Sequence, residues 1–318
     1  MSAESVPLRI GLALGSGGAR GYAQCGVMKV LQREGIVAQA VAGNSIGTIM
    51  GVGYAMSNGN ALELEHIILE HFQRLNFRRC LRFTGQGLHI DTDALERFFT
   101  ANIPPKRLED FPIPIRVVAT DLRSGKPVSL DRGPVGRLLV ASILLPYISP
   151  PMPFGDYLLT DGGLLTNVPF LEVEQMNVDL IIGVNNRHRA HAVPPLFPLS
   201  SLLLPPIVLG KSHPFRRTFD SIHAINMRQI ERLQLSMLRT PYFLIEPSLD
   251  DVKGSDYPRA AEIIRRGEEA AEHALPLLRH YMEEVQRWKE KVHRYHLSMP
   301  GRIAVHASSS LSFSTIAQ

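Results

Sequence analysis

The sequence predicts an α/β protein with a mainly parallel central sheet flanked by helices. Two observations carry this. A short apolar run, a glycine-rich turn and a segment of helical period follow one another twice within the first 58 residues. Short runs rich in β-branched residues at 115–119 and 180–184 alternate with helix-like segments further on. Strands that alternate with helices in this way point to a largely parallel sheet covered on both faces.

The first unit runs from a strand at 10–14 through Gly15-Ser16-Gly17-Gly18-Ala19-Arg20-Gly21 into a helix at 22–34, with Val27, Val30 and Leu31 at helical spacing and Gly35 as its C-cap. Such a turn leaves backbone N–H groups free at a helix N-terminus, where the helix dipole favours negative charge. The second unit passes from the apolar residues 40–42 through Gly43-Asn44-Ser45-Ile46-Gly47 into a segment with Ile46, Ile49, Met50 and the small residues Gly47, Gly51 and Ala55. A G-x-S-x-G pentapeptide between strand and helix is the context of a nucleophile elbow, whose glycines let neighbouring backbone pass. Taken singly, the first turn also fits tight strand–helix packing, and Ser45 also fits an N-cap hydroxyl. The two together, in this order, are far more specific.

After a short polar lead over 1–7, residues 60–75 read as an amphipathic helix capped by Asn60. Residues 77–90 read as irregular and basic, with a turn at Gly85 and Gly87. A helix follows over 91–102, with Asp93 and Glu96 as a capping box. Beyond a proline-rich connector at 104–114, strands at 115–119 and 126–130 form a hairpin. A helix at 136–142 precedes the proline-broken stretch 145–151. The brief strand 157–160 then delivers Asp161-Gly162-Gly163, and Asn167-Val168-Pro169 opens another helix. Past the strand at 180–184 the character changes. Residues 192–215 are rich in proline and leucine, with 201–209 the most apolar segment, a lid, a membrane contact or an ordinary packed loop. A helix at 219–238, a strand at 242–245 and a long charged helix at 257–295 follow. The predicted organisation is a catalytic core over 8–186, a helical C-terminal part of the same domain over 187–297, and a disordered tail over 298–318.

At 318 residues, 45% of them hydrophobic and with mean hydropathy +0.01, the chain can bury a sizeable core. A net charge of +4 is too mild for nucleic-acid binding, and no basic stripe is interleaved with aromatics. It is compatible with weak attraction to an anionic membrane surface. The two cysteines, Cys25 and Cys80, show no metal-ligand spacing. No leader pattern opens the chain and no apolar run approaches the ~20 residues of a membrane span, so the expectation is a cytoplasmic protein, with peripheral contact at the inner membrane surface as an option.

A serine on an elbow beside a cradle of N–H groups suggests acyl transfer, with the serine attacking a carbonyl and the cradle holding the oxyanion. The base is the open question. An α/β-hydrolase would use a histidine, and the chain has twelve. Only about two strands precede Ser45, however, whereas that fold places several strands and a separate oxyanion loop before its elbow. His188, His191 and His213 lie in polar or proline-flanked loops and read as surface residues. Asp161 is the alternative: it ends a predicted strand and two glycines leave it bare of neighbours. If strand C-termini converge on one edge of a parallel sheet, Ser45 and Asp161 meet there. Partial burial would raise a carboxylate from its ordinary value near ~3.9 toward the working range. Read plainly, Asp161-Gly162 is also a common turn.

These blocks, in this order, resemble the bacterial patatin-like phospholipases related to the neuropathy-target-esterase catalytic domain. The resemblance rests on Gly15 to Gly21 with Arg20, Gly43 to Gly47, Ala141-Ser142 with Pro146 and Pro150, Asp161 to Gly163 followed by Asn167-Val168-Pro169, and the corner Thr120-Asp121-Leu122. It covers residues 8–186 and is loose beyond 190, apart from Ile245-Glu246-Pro247 and the helix leading to Gly267. It implies a three-layer patatin-like sandwich and a Ser-Asp dyad of Ser45 and Asp161. It further implies oxyanion donors from the backbone of Gly17 and Gly18, extended through Ala19 with Arg20 alongside. Gly15, Gly21, Gly43, Gly47, Gly162 and Gly163 shape the turns. No metal, cofactor or third catalytic residue is implied. The substrate implied is a lipid carboxylic ester, a phospholipid or lysophospholipid. Tyr147 departs from the family pattern, where a small residue usually follows the proline, and would narrow the pocket mouth. Two rivals remain: a phosphate- or nucleotide-binding module using the Gly15–Gly21 turn, which lacks the Walker Lys-Ser/Thr pair, and a non-catalytic scaffold that keeps the fold. Oligomeric state is not legible.

Overall fold

The computed structural model describes residues 7–72, 81–84, 87–146, 149–186, 214–295 and 304–308. Tyr147, the apolar segment 201–209, Cys80 and the three loop histidines lie outside these residues. Two strand–turn–helix units open the chain: β1 (Ile10–Leu14) with α1 (Tyr22–Arg33), and β2 (Ala40–Asn44) with α2 (Ile46–Met56). They are followed by α3 (Ala61–Ile67), β3 (Leu81–Thr84), β4 (Gly87–Ile90), α4 (Thr92–Asn102), β5 (Ile115–Asp121), β6 (Lys126–Leu130) and α5 (Val135–Ser142). Next come β7 (Met152–Phe154), β8 (Tyr157–Asp161), α6 (Phe170–Glu174), β9 (Leu180–Val184), α7 (Pro214–Met237), β10 (Tyr242–Glu246), α8 (Ala260–Tyr295) and β11 (Ala304–Ser308).

The main sheet runs β11-β10-β9-β1-β2-β5-β8-β7, with β6 also paired to β5. From β11 to β5 every pairing is parallel, and β6, β7 and β8 are antiparallel additions. Alternate side chains of each central strand feed two cores. Ile10, Leu12 and Leu14 of β1 and Leu180, Ile182 and Val184 of β9 face the larger one, with α1, α2, α4, α5 and α8. Ala13 and Ile181 face the smaller one, with Phe170 and Val173 of α6 and Leu238 beyond α7. Helices on both faces explain why these strands carry no polar alternation. The result is a three-layer α/β sandwich, as the sequence predicts.

Local signals explain the element ends. Asn60 caps α3 by accepting from the N–H groups of Leu62 and Glu63. Gly35 N–H donates to the Gln32 carbonyl and Ile36 N–H to that of Leu31, the paired bonds that close α1.

Four expectations are corrected. The 60–75 helix is α-helical only to Ile67 and continues as a π-helical turn over Ile68–Phe72. Residues 81–84 and 87–90 form an antiparallel strand pair, where four-residue strands interrupted by Arg82 and His89 are too short to show a period. The cap of α4 is Asp91, which accepts from Ala94 N–H at 2.9 Å, rather than the Asp93–Glu96 pair. The stretch expected as a disordered tail contains β11, in which the short run Ala304-Val305 pairs with Tyr242-Phe243 of the open sheet edge.

Candidate active site

Ser45 sits between β2 and α2 with φ 53° and ψ −123°, a left-handed backbone for a residue with a side chain. That geometry is costly by about 1–3 kcal/mol and persists only where surroundings enforce it. The enforcement here is close packing. A methyl on Gly43 would lie 2.3 Å from the Gly47 carbonyl oxygen, and one on Gly47 would lie 2.1 Å from the Leu14 carbonyl oxygen. Both flanking glycines of the pentapeptide are therefore dictated by space.

The half-buried Ser45 hydroxyl donates to Asp161 Oδ2 at 2.7 Å. The carboxylate is 3% exposed, and its Oδ1 accepts from Gly163 N–H at 2.7 Å. A side chain at position 162 would lie 2.6 Å from both Asn44 Oδ1 and the Val118 carbonyl oxygen, so glycine is required there. Asn44 Nδ2 in turn donates to the Thr166 carbonyl, tying the elbow to the loop after Asp161.

The two residues meet for a reason other than convergent parallel strands. β8 is antiparallel to β5, with Asp161 opposite Ala119 and Leu159 opposite Asp121. β2 ends with Asn44 opposite Val118. Asp161 thus arrives from the far side of β5 and stops at the height at which β2 releases Ser45.

The glycine turn lies on the other side of the serine. Gly17 has φ 148° and Gly18 φ 59°, and the chain then enters a 3-10 turn over Gly18–Gly21 that runs on into α1. Among the described residues, no backbone carbonyl outside that turn accepts from the Gly17 or Gly18 N–H. Both amides stand at the N-terminal end of the helical segment, where negative charge is favoured. Ala19 is different. Its N–H donates to the Gly254 carbonyl at 2.8 Å, so it is occupied and is corrected from the expected donor set. Arg20 is buried rather than exposed, and its Nε donates to the Gly17 carbonyl at 3.2 Å.

Beneath the turn lies a layer of amide side chains, of which the sequence singles out Asn167 but not Gln24, Asn185 or Asn186. Gln24 Nε2 donates to the Gly15 carbonyl at 2.6 Å. Asn186 Nδ2 reaches the carbonyls of Gly15 and Ser16 at 3.4 and 3.3 Å. Ser16 donates through its N–H to the Asn167 carbonyl and through its hydroxyl to Asn167 Oδ1. Asn167 Nδ2 donates to Asn185 Oδ1 at 3.0 Å, and Asn185 Nδ2 to Glu246 Oε1 at 2.9 Å. The available signal was Asn185-Asn186 directly after the most strand-like run, at the sheet edge where ligands bind. Gly254 carries no comparable signal.

A serine hydroxyl on an elbow, hydrogen-bonded to a buried carboxylate and adjacent to a glycine turn, is an arrangement suited to acyl transfer. The family described as patatin-like phospholipase matches residues 12–173. An uncharacterised NTE family protein of Mycobacterium tuberculosis is 35% identical over 177 residues, 56% of this chain and 49% of that protein. Lysophospholipase NTE1 of Debaryomyces hansenii is 25% identical over 278 residues, 84% of this chain and 18% of that protein. The crystal structure of VipD from Legionella pneumophila aligns with a TM-score of 0.43 at 14% identity, over 86% of this chain and 67% of that one. This chain spans about half the length of the mycobacterial relative. Among the described residues, no helix is long and apolar enough to cross a membrane.

Proposed function

The chain belongs to the patatin-like phospholipase family, and we propose that it is a serine acyl hydrolase cleaving the carboxylic esters of phospholipids or lysophospholipids. The observation that carries this is the 2.7 Å hydrogen bond from Ser45 Oγ to Asp161 Oδ2, made at an elbow whose backbone is held in a strained conformation.

In this reading Asp161 takes the hydroxyl proton as Ser45 Oγ attacks the ester carbonyl. Negative charge passes to the carbonyl oxygen, which the Gly17 and Gly18 N–H groups receive. Collapse of the tetrahedral adduct breaks the C–O bond to the leaving alcohol, which takes the proton from Asp161. A water molecule then attacks the acyl-enzyme, giving its proton to Asp161. The resulting adduct releases the fatty acid and returns that proton to Ser45. Each donor to the oxyanion is worth about 3 kcal/mol of barrier, so the glycine turn matters as much as the dyad.

The test is labelling of the full chain by a fluorophosphonate probe, with peptide mapping, alongside fatty-acid release from lysophosphatidylcholine micelles. Label on Ser45, together with release that Ser45→Ala abolishes, is the expected result. A chain that neither labels nor releases fatty acid is a scaffold keeping the fold, and the hydrolase reading fails.

A further inference from the structure

We infer that Asn186, which follows β9 and lies beyond the family-matched residues 12–173, is a positioning residue that aims the Gly17 N–H at the oxyanion. The inference deepens the hydrolase reading and rests on it.

A trans peptide is planar, with its C=O and N–H pointing in opposite directions. The Gly17 N–H belongs to the same peptide unit as the Ser16 carbonyl. Whatever holds that carbonyl therefore sets the direction of the amide. The fully buried Asn186 holds it, donating from Nδ2 at 3.3 Å and reaching the Gly15 carbonyl at 3.4 Å with the same group.

The sheet order gives the direction. β1, which feeds the glycine turn, lies between β9 and β2. Asn186 extends from the β9 side and Ser45 from the β2 side. Drawing the Ser16 carbonyl toward β9 turns the Gly17 N–H toward β2, and so toward Ser45. The next peptide is fixed in the same manner by a different side chain, since Arg20 Nε holds the Gly17 carbonyl and thereby sets the Gly18 N–H. The contact with Asn186 is also steric. A methyl on Gly17 would lie 3.1 Å from Asn186 Cβ, so the asparagine closes the space into which the turn would relax.

Alternative duties for Asn186 are weaker. The N–H of Gly15 is held by the Val184 carbonyl, and the Gly15 carbonyl already accepts from Gln24 at 2.6 Å. The Ser16 carbonyl is the group for which Asn186 supplies a donor of its own.

The experiment compares the wild-type chain with Asn186→Ala and with the isosteric Asn186→Asp, which loses the donating NH2. Hydrolysis of a short-chain p-nitrophenyl ester gives kcat and KM. Inhibition is measured with an alkyl trifluoromethyl ketone, which forms an oxyanion adduct on the serine, and with a non-hydrolysable ether analogue. Expected is a fall in kcat of about 10- to 100-fold at little-changed KM. The ketone should weaken in proportion to kcat/KM while the ether binds as before, because only the ketone samples the oxyanion. Retention of kcat within twofold overturns the assignment, as does parallel weakening of both inhibitors. Loss of folding in both variants would make the side chain structural and also overturn it. The failure of the hydrolase reading is separately visible: wild type would then show no turnover that Ser45→Ala removes, and the assignment falls with it.

Discussion

Gly26 of α1 and Gly267 of α8 form a reciprocal contact, 241 positions apart in sequence, in which each leaves room for the backbone of the other's helix. A methyl on Gly26 would lie 1.9 Å from the Ile264 carbonyl oxygen, and one on Gly267 would lie 1.9 Å from that of Ala23. The long C-terminal helix is thereby held against the helix that the glycine turn opens. Tyr22 and Tyr257 meet edge-on nearby, with ring centroids 6.1 Å apart, and the Gly254 carbonyl takes the Ala19 N–H. Gly26→Ala and Gly267→Ala are each expected to destabilise the chain by about 2–4 kcal/mol, because backbone rather than a flexible side chain must give way. Thermal unfolding checks this. A melting temperature unchanged in both variants would show that the helices separate at no cost.

The dyad gives a second expectation. Ser45→Ala and Asp161→Asn should each lower ester hydrolysis by on the order of 10⁴-fold or more while the chain stays folded. In Asp161→Asn the amide keeps the shape that receives Gly163 N–H at one oxygen, so circular dichroism and melting should change little. Substantial activity in Asp161→Asn would place the base elsewhere and leave the 2.7 Å contact as a structural bond.

Gly18 separates sterics from conformation. Its φ of 59° is unfavourable for any side chain, and a methyl there would lie 2.5 Å from the Gly254 carbonyl oxygen. Gly18→Ala should therefore cost about 1–3 kcal/mol of stability and, by displacing a donor, about 10²-fold in kcat. Gly35→Ala is the control. Its φ is 72° with nothing within 4 Å of the added methyl, so it should cost stability and leave kcat alone. Equal loss of kcat in the two variants would mean that kcat simply tracks stability.

What could be read from the chain follows from how local each signal is. Both glycine turns announce themselves because strand, turn and helix are contiguous, and Asp161 because two glycines isolate it. Their adjacency was expected for a mistaken reason, since nothing in the five residues of β8 tells whether the strand runs with or against β5. The antiparallel pair of β3 and β4 escapes because its strands are four residues long. Gly254 and Asn186 escaped because their partners, Ala19 and Ser16, lie more than 160 positions away. A carbonyl or a buried amide acquires such a role only through the tertiary fold, which places β9 beside β1 and the loop after β10 against the turn that follows β1.

The last expectation concerns acid. Asp121, at the end of β5, has Oδ2 against the Ser124 hydroxyl at 2.6 Å and Oδ1 against the N–H groups of Leu158 and Arg123 at 2.9 and 3.2 Å. Led by the Ser124 hydroxyl and the Leu158 amide, these donors favour the charged form and pull the carboxyl down from 3.8 to about 2. The folded chain then binds this proton more weakly than the unfolded one. The stabilisation is therefore complete above the ordinary carboxylate range and is lost as pH falls from about 4 through about 2. Asp121→Asn should be less stable than wild type near neutral pH, and the gap should narrow across that acid window, because the asparagine has no proton to take up. Glu109 and Glu262 are also held near 2, but both chains share them, so the difference between urea midpoints isolates Asp121. The consequence reaches the site, since Leu158 lies on β8 and fixes the strand that ends in Asp161. A midpoint difference that stays constant from about pH 7 down to about pH 2 would show that this carboxylate contributes no charge-dependent stability.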